Sequence, residues 1–193
     1  ADQLENNRTY NSAGEYTDDN GVTQYHDNEV DDYKQDHFQL HWYETWNSAW
    51  NTHLAVHYTR GRGYFEQYRD DDDFATYGLE PITVNGNLVE TTDLICRRWL
   101  DNDFYGTIFS ATYNNENLEL IMGGGYNEYK GDHFGEIIWA EYASDSEYGD
   151  RYYDDTSTKT DFNVYTKANY KLTDQWSLFG DLQYRGVTYE ANG

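Results

Sequence analysis

The chain has 193 residues with a formal net charge of -23, only 37% hydrophobic residues, yet 18% aromatic ones, 21 of them Tyr. Low hydrophobicity with high charge is the signature of disorder, but disordered chains are poor in aromatics, so the balance points to a wet, Tyr-rich sheet. The charge argues against a nucleic-acid partner and against adsorption to an anionic membrane surface, both of which need basic patches.

Cys96 is the sole cysteine, so no intramolecular disulfide is available, and no Cys/His spacing resembles a zinc site. No apolar run is long enough for a transmembrane helix, and ADQLENNRTY does not read as a signal peptide. A single proline, Pro81, suits long uninterrupted strands.

In chain order, residues 1–34 read as a polar, acidic loop with short strands. The DDNG at Asp18–Gly21 is a turn signal; it resembles the start of a calcium loop, but the rest of that ligand pattern is absent. The first strand is QDHFQLHWY, where Phe38, Leu40 and Trp42 alternate with His37, Gln39 and His41. After ETWNSA, Trp50, Thr52, Leu54, Val56 and Tyr58 alternate with Asn51, His53, Ala55 and His57. His37, His41, His53 and His57 thus fall on one polar face. Whether they line a wet surface or converge on a metal depends on cross-strand register, and the expectation is a wet surface with no metal site.

Residues 60–100 read as a long outer excursion. Asp70–Asp73 is expected to be a solvated charge run. Ile82–Val84, Asn85-Gly86 and Leu88–Val89 make a small hairpin, Asn-Gly being the strongest short turn signal. A second hairpin follows: Tyr105, Thr107, Phe109, Ala111 and Tyr113 lead to NNEN, then Leu118, Leu120, Met122, Gly124 and Tyr126 return. Gly123–Gly125 marks a bulge or a close backbone approach. Residues 128–160 form the second outer hairpin or loop. The last hairpin is the most regular: Phe162, Val164, Thr166, Ala168, Tyr170 and Leu172, then LTDQ, then Trp176, Leu178, Gly180, Leu182 and Tyr184. Each apolar row has a small aliphatic middle and aromatics towards its ends, the profile of a bilayer-crossing strand.

The three hairpins have short turns at one end and long acidic, aromatic-rich excursions at the other. The expected fold is all-β, an antiparallel up-and-down meander of long hairpins occupying residues 1–193 as a single segment. In a membrane this would be part of a transmembrane β-barrel. In isolation it would close into a small barrel, drawing on strands from 1–34 or 80–92, or dimerise through its open edges.

DNEVDDYKQDHFQLHW, RRWLDNDFYGTIFSATYN, GGGYNEYKGDHFGEIIWAEY and KTDFNVYTKANYKLTDQWSLFGDLQYRG resemble the barrel of TonB-dependent outer-membrane receptors of the Bacteroidetes type. The likeness covers most of residues 15–190. Such receptors resemble a much larger barrel of about 22 strands with a plug inside. Neither plug nor TonB box is evident here, so the likeness implies an internal piece of barrel that is not transport-competent alone. It implies an outer-membrane location with extracellular loops, a role in uptake of a metal chelate, vitamin or glycan, and no enzymatic activity, catalytic residue or cofactor. The implied partners are outer-membrane lipid or detergent, the remainder of the barrel or a second copy, and a small nutrient ligand. Tyr64, Phe65, Tyr68, Trp99, Tyr129, Trp139, Tyr152 and Tyr153 are the aromatics expected to stack on that ligand. The competing reading is a self-standing binding or adhesion module.

Overall fold

A computed structural model describes residues 15–18, 20–25 and 30–193. The expected polar stretch over 1–14, with positions 19 and 26–29, lies outside these described residues. The strands are β1 (Glu15–Thr17), β2 (Thr23–Tyr25), β3 (Asp31–Thr45), β4 (Trp50–Asp73), β5 (Ile82–Val84), β6 (Asn87–Val89), β7 (Thr91–Asn114), β8 (Leu118–Ala140), β9 (Arg151–Lys171) and β10 (Ser177–Asn192). Six of them form one antiparallel sheet in the order β10-β9-β8-β7-β4-β3. The fold is therefore an up-and-down meander of long hairpins, with β5-β6 inserted between β4 and β7 as a separate ribbon.

The strands are long because the alternation does not stop where the outer excursions were expected to begin. β4 and β7 each run 24 residues, roughly 80 Å at about 3.3 Å per residue. Only about 9–11 residues are needed to cross a bilayer. Residues 60–73 and 91–100 are thus mostly strand, and the true loop in the second excursion is confined to 141–150 before β9 resumes at Arg151.

All three turns at the near end are closed by the same device. Asn47 Oδ1 accepts from the backbone N–H of Ala49 and Trp50. Asn115 Oδ1 accepts from Asn117 and Leu118, and Thr173 Oγ1 from Gln175 and Trp176. A short polar side chain accepting from backbone two and three residues on is a standard way to satisfy a tight reversal. The expected turn at Asp18 works alike, with Oδ1 accepting from Asn20 and Val22. Asn85 and Gly86 carry φ of 50° and 83° between β5 and β6, as an Asn-Gly hairpin requires.

The buried core is small and lies at the far end. Phe74, Tyr77, Leu79, Leu94, Cys96 and Ile137 form it, with Ile82, Val89 and Tyr142 packed around. A short 3-10 turn, Phe74–Tyr77, starts this cap: Asp73 accepts from Ala75 N–H, and Gly78 at φ 71° ends it. The Asp70–Asp73 run is accordingly structural as well as solvated. Asp72 Oδ2 accepts from the Tyr77 hydroxyl at 2.7 Å, and a register shift between Arg69 and Asp72 bends β4 towards the cap. β5 and β6 serve this cap and do not extend the main sheet.

Candidate functional site

Register converts the alternation into two faces. One row reads Trp42, Leu54, Phe109, Gly124, Val164 and Tyr184 across all six strands. The next reads Leu40, Val56, Thr107, Tyr126, Phe162 and Gly186. Their large apolar side chains are exposed: Leu40 retains 69% of its surface and Tyr184 65%. Aromatics bound this apolar belt on its β3–β7 side, while on β8, β9 and β10 the far row continues as Glu128, Thr160 and Thr188. At the near end Trp50 packs on Tyr113 at 5.0 Å; at the far end Phe38 stacks on Tyr58 at 6.1 Å, and Tyr58 pairs with Tyr105. From Trp50 to Tyr58 along β4 is roughly 26 Å at about 3.3 Å per residue.

Immediately beyond the far aromatic row the same face becomes charged. Asp36, Arg60, Asp103 and Lys130 make one row, then Lys34, Arg62, Asp101 and Asp132. Arg60 pairs with Asp101 and Asp103, Arg62 with Asp101. Above these, Tyr64 lies 4.6 Å from Trp99, which stacks on Phe134 at 5.7 Å. Arg97 covers Tyr64 at 4.3 Å and Arg151 covers Phe134 at 3.6 Å. Trp99 Nε1–H donates to Glu136 at 2.8 Å. These contacts brace the tall hairpins through cross-strand pairs and cation–π stacking.

The belt also holds a shallow apolar trough of about 850 Å³, lined by Phe109, Met122, Tyr126, Phe162, Leu182 and Tyr184. Its floor is Gly124, where a Cβ would stand 2.5 Å from Asn163 O. On the opposite face the Tyr165 hydroxyl lies 2.6 Å from the Cβ position of Gly123. The glycine triplet is thus a close approach, with no register shift between β8 and β9 at that point.

The opposite face is polar and rich in glycine. Gly61, Gly106, Gly123, Gly125, Gly131 and Gly135 all belong to it by register. His57 Nε2 meets Asn127 Oδ1 at 2.9 Å there. The cap covers the far end of this face, because Leu94, Cys96 and Ile137 share its parity.

The eight aromatics expected to stack on a ligand divide between the faces. Tyr64, Tyr68, Trp99 and Trp139 fall on the belt side, given Tyr64 opposite Trp99, Tyr68 opposite Ile95 and Ile95 opposite Trp139. Phe65, Tyr129 and Tyr153 fall on the polar side, opposite Arg98, Lys159 and Gly135 respectively. Tyr152 occupies the bulge of β9 and joins the cap, meeting Tyr77 at 4.8 Å and Tyr153 at 5.0 Å. The structure therefore brings Tyr152 and Tyr153 together with the cap, brings Tyr64 and Trp99 together elsewhere, and does not gather all eight. Burial raises the Tyr77 hydroxyl above its ordinary range, with the Asp72 hydrogen bond adding to it. Burial raises Tyr152 likewise, with Cys96 alongside.

The cap residues Phe74, Tyr77 and Leu79 escaped the sequence reading. The signal for them was the Asp73-to-Gly78 frame, an acidic N-cap and a glycine stop around one short turn.

No protein-family model matches the chain, and no curated protein sequence matches it.

Proposed function

We propose that the six-stranded sheet is an arc of a transmembrane β-barrel in an outer membrane, of the kind found in TonB-dependent nutrient receptors. The observation that carries this reading is the belt. It is continuous over six strands, its large side chains are exposed, and on β4 and β7 it is bounded by aromatics at both margins and gives way at once to paired charges. Its extent along the strands is close to the apolar band of about 25 Å, flanked by aromatic girdles, that lipid-facing barrels carry. In a water-soluble sheet the apolar face packs a core. Here the core sits on the opposite face and at the far end, which leaves Leu40, Leu54, Val56, Phe109 and Leu182 for lipid. The short turns at Asn47, Asn115 and Thr173 fit the periplasmic rim, and the tall hairpins with their cap stand on the outer side.

The role is binding and passage, without chemistry on the bound molecule. A nutrient inside the barrel meets the polar face, so Phe65, Tyr129, Tyr152 and Tyr153 are the aromatics available to it. Tyr64, Tyr68, Trp99 and Trp139 stiffen the outer wall. The open edges at β3 and β10 require further strands, so this arc does not transport by itself.

The test is fluorescence quenching in vesicles whose acyl chains carry bromine at mid-depth. The protein, folded in detergent and transferred to such vesicles, is expected to lose Trp42 emission strongly relative to a Trp42→Phe variant. A protein that remains monodisperse without detergent, and whose tryptophans ignore the bromines, would overturn the reading.

A further inference from the structure

Four of the six histidines stand on the polar face of the first hairpin in successive rows: His53, His41, His57 and His37, alternating between β4 and β3. His41 and His53 stand apart from the others in their geometry. Nδ1 of His41 lies 3.1 Å from Nε2 of His53. Their ring planes differ by 2° and their centroids are 5.4 Å apart, which is the N–N distance plus one ring radius at each end. The rings are therefore coplanar and head-on, sharing one hydrogen bond.

The neighbours fix which nitrogen is bare. His41 Nε2–H donates to Gln39 Oε1 at 3.3 Å, so in the neutral ring Nδ1 carries the lone pair that faces His53. Tyr43 stacks on His53 at 4.1 Å with planes 4° apart and holds that ring in place. A carbonyl partner on the remote nitrogen, orienting the near one, is the arrangement that metal-ligating imidazoles use.

We propose that His41 and His53 form a binding site for a divalent transition ion of the Cu2+, Ni2+ or Zn2+ class. Two imidazole nitrogens bound at about 2.0–2.1 Å to one ion lie about 2.8–3.4 Å apart between right-angle and tetrahedral geometry, and this pair already has that separation. Metal binding replaces the His41–His53 hydrogen bond and requires the rings to turn out of their common plane until both lone pairs meet the ion. His41 is exposed and turns freely, whereas the His53 ring turns against the face of Tyr43. His53 must carry its proton on Nδ1 in place of Nε2, a tautomer shift with no net proton loss. Among the described residues no three His, Cys, Asp or Glu side chains gather at one place, so water completes the coordination. Imidazole donors exclude Ca2+ and Mg2+ and favour Cu2+ in the divalent series. The site stands on the hairpin geometry alone and does not depend on the membrane reading.

The experiment is Cu2+ titration of the full chain in detergent, read by calorimetry and by electron paramagnetic resonance. One Cu2+ per chain with two nitrogen ligands is expected, and Ca2+ should give no heat. His41→Gln and His53→Gln should each abolish that site, whereas His37→Gln should leave it intact. Gln39→Leu frees the remote nitrogen and should weaken binding about 10-fold, the lower end for loss of an orienting partner. Retention of β-sheet circular dichroism in each variant separates loss of ligand from loss of fold. Undiminished Cu2+ binding in the His41→Gln/His53→Gln double variant, or no two-nitrogen spectrum in the wild type, overturns the proposal.

Discussion

Cys96 shows how one residue reports on the far end of the molecule. It is 1% exposed, its thiol directed at Gln67 O at 3.6 Å, with Leu94 and Ile137 beside it in the core. Thiol reagents need an exposed thiolate. Native protein is therefore expected to react with a disulfide reagent orders of magnitude more slowly than protein in denaturant, and prompt stoichiometric reaction of the native state would show that the cap does not close. The Tyr77 hydroxyl makes the same cap pH-dependent. Its folded value is raised above the ordinary 10.0, by burial first and by Asp72 second. A group raised on folding gives its full stabilisation below the unfolded value and loses it as pH rises beyond. The cap should thus be unaffected up to about pH 10, the ordinary Tyr value, and loosen above it. Protection of the amides over 74–79 relative to their intrinsic, base-catalysed exchange, falling only on the alkaline side, checks this, and a fall in protection already at neutral pH would contradict it.

At the scale of elements, the three tight turns carry much of the registration. Asn115 satisfies two backbone N–H groups between β7 and β8, and a single exposed hydrogen bond contributes about 1 kcal/mol net. Asn115→Ala is expected to lower stability by about 1–2 kcal/mol with an unchanged denaturant slope, whereas Asn115→Asp keeps an acceptor and should lose less. These turns, the Asn85-Gly86 hairpin and the belt rows were legible in the sequence because each is local: a period of two, or a turn residue at a fixed offset. The split of the eight aromatics was half legible. Tyr58, Arg60, Arg62 and Tyr64 continue one alternating row, so Tyr64 follows Tyr58 onto the belt side once β4 is seen not to end at Gly61 and Gly63. The register shifts at Arg69/Asp72, Ile95/Cys96 and Gly135/Glu136 were not legible, since they are fixed by the cap packing from residues far away in sequence. The His41–His53 pair was hidden for a related reason: sequence places both on one face, but only the pairing of Tyr43 with His53 and of His41 with Ala55 sets them on neighbouring rows.

For the whole molecule, the proposed barrel reading turns on whether the belt meets lipid and on what completes the sheet. Val164 lies mid-belt and its neighbour Asn163 on the opposite face. A lysine on a lipid-facing strand costs about 2–4 kcal/mol at the bilayer midplane, while lumen positions tolerate it. Val164→Lys should therefore impair vesicle insertion and Asn163→Lys should not; equal tolerance of both would remove the lipid from the belt. Insertion then constrains the edges, because a bilayer leaves no unpaired strand edge in contact with lipid. β3 runs towards the tight-turn end and β10 away from it. Pairing β10 with β10 of a second copy would either invert the tight-turn ends or turn the belt to the other face. Pairing β3 with β10 of the next copy keeps both, a heterologous contact that closes only if the rotation allows it. Strands of a larger barrel satisfy the same geometry. In bilayers, the alternate amides of β3 and β10 that point away from the sheet should accordingly be as protected as those of β7. Chains carrying a charge-introducing Leu40→Lys on β3 should lose that protection and sediment as monomers in detergent. A monomer in the bilayer whose edge amides exchange freely would show that these six strands do not cross it.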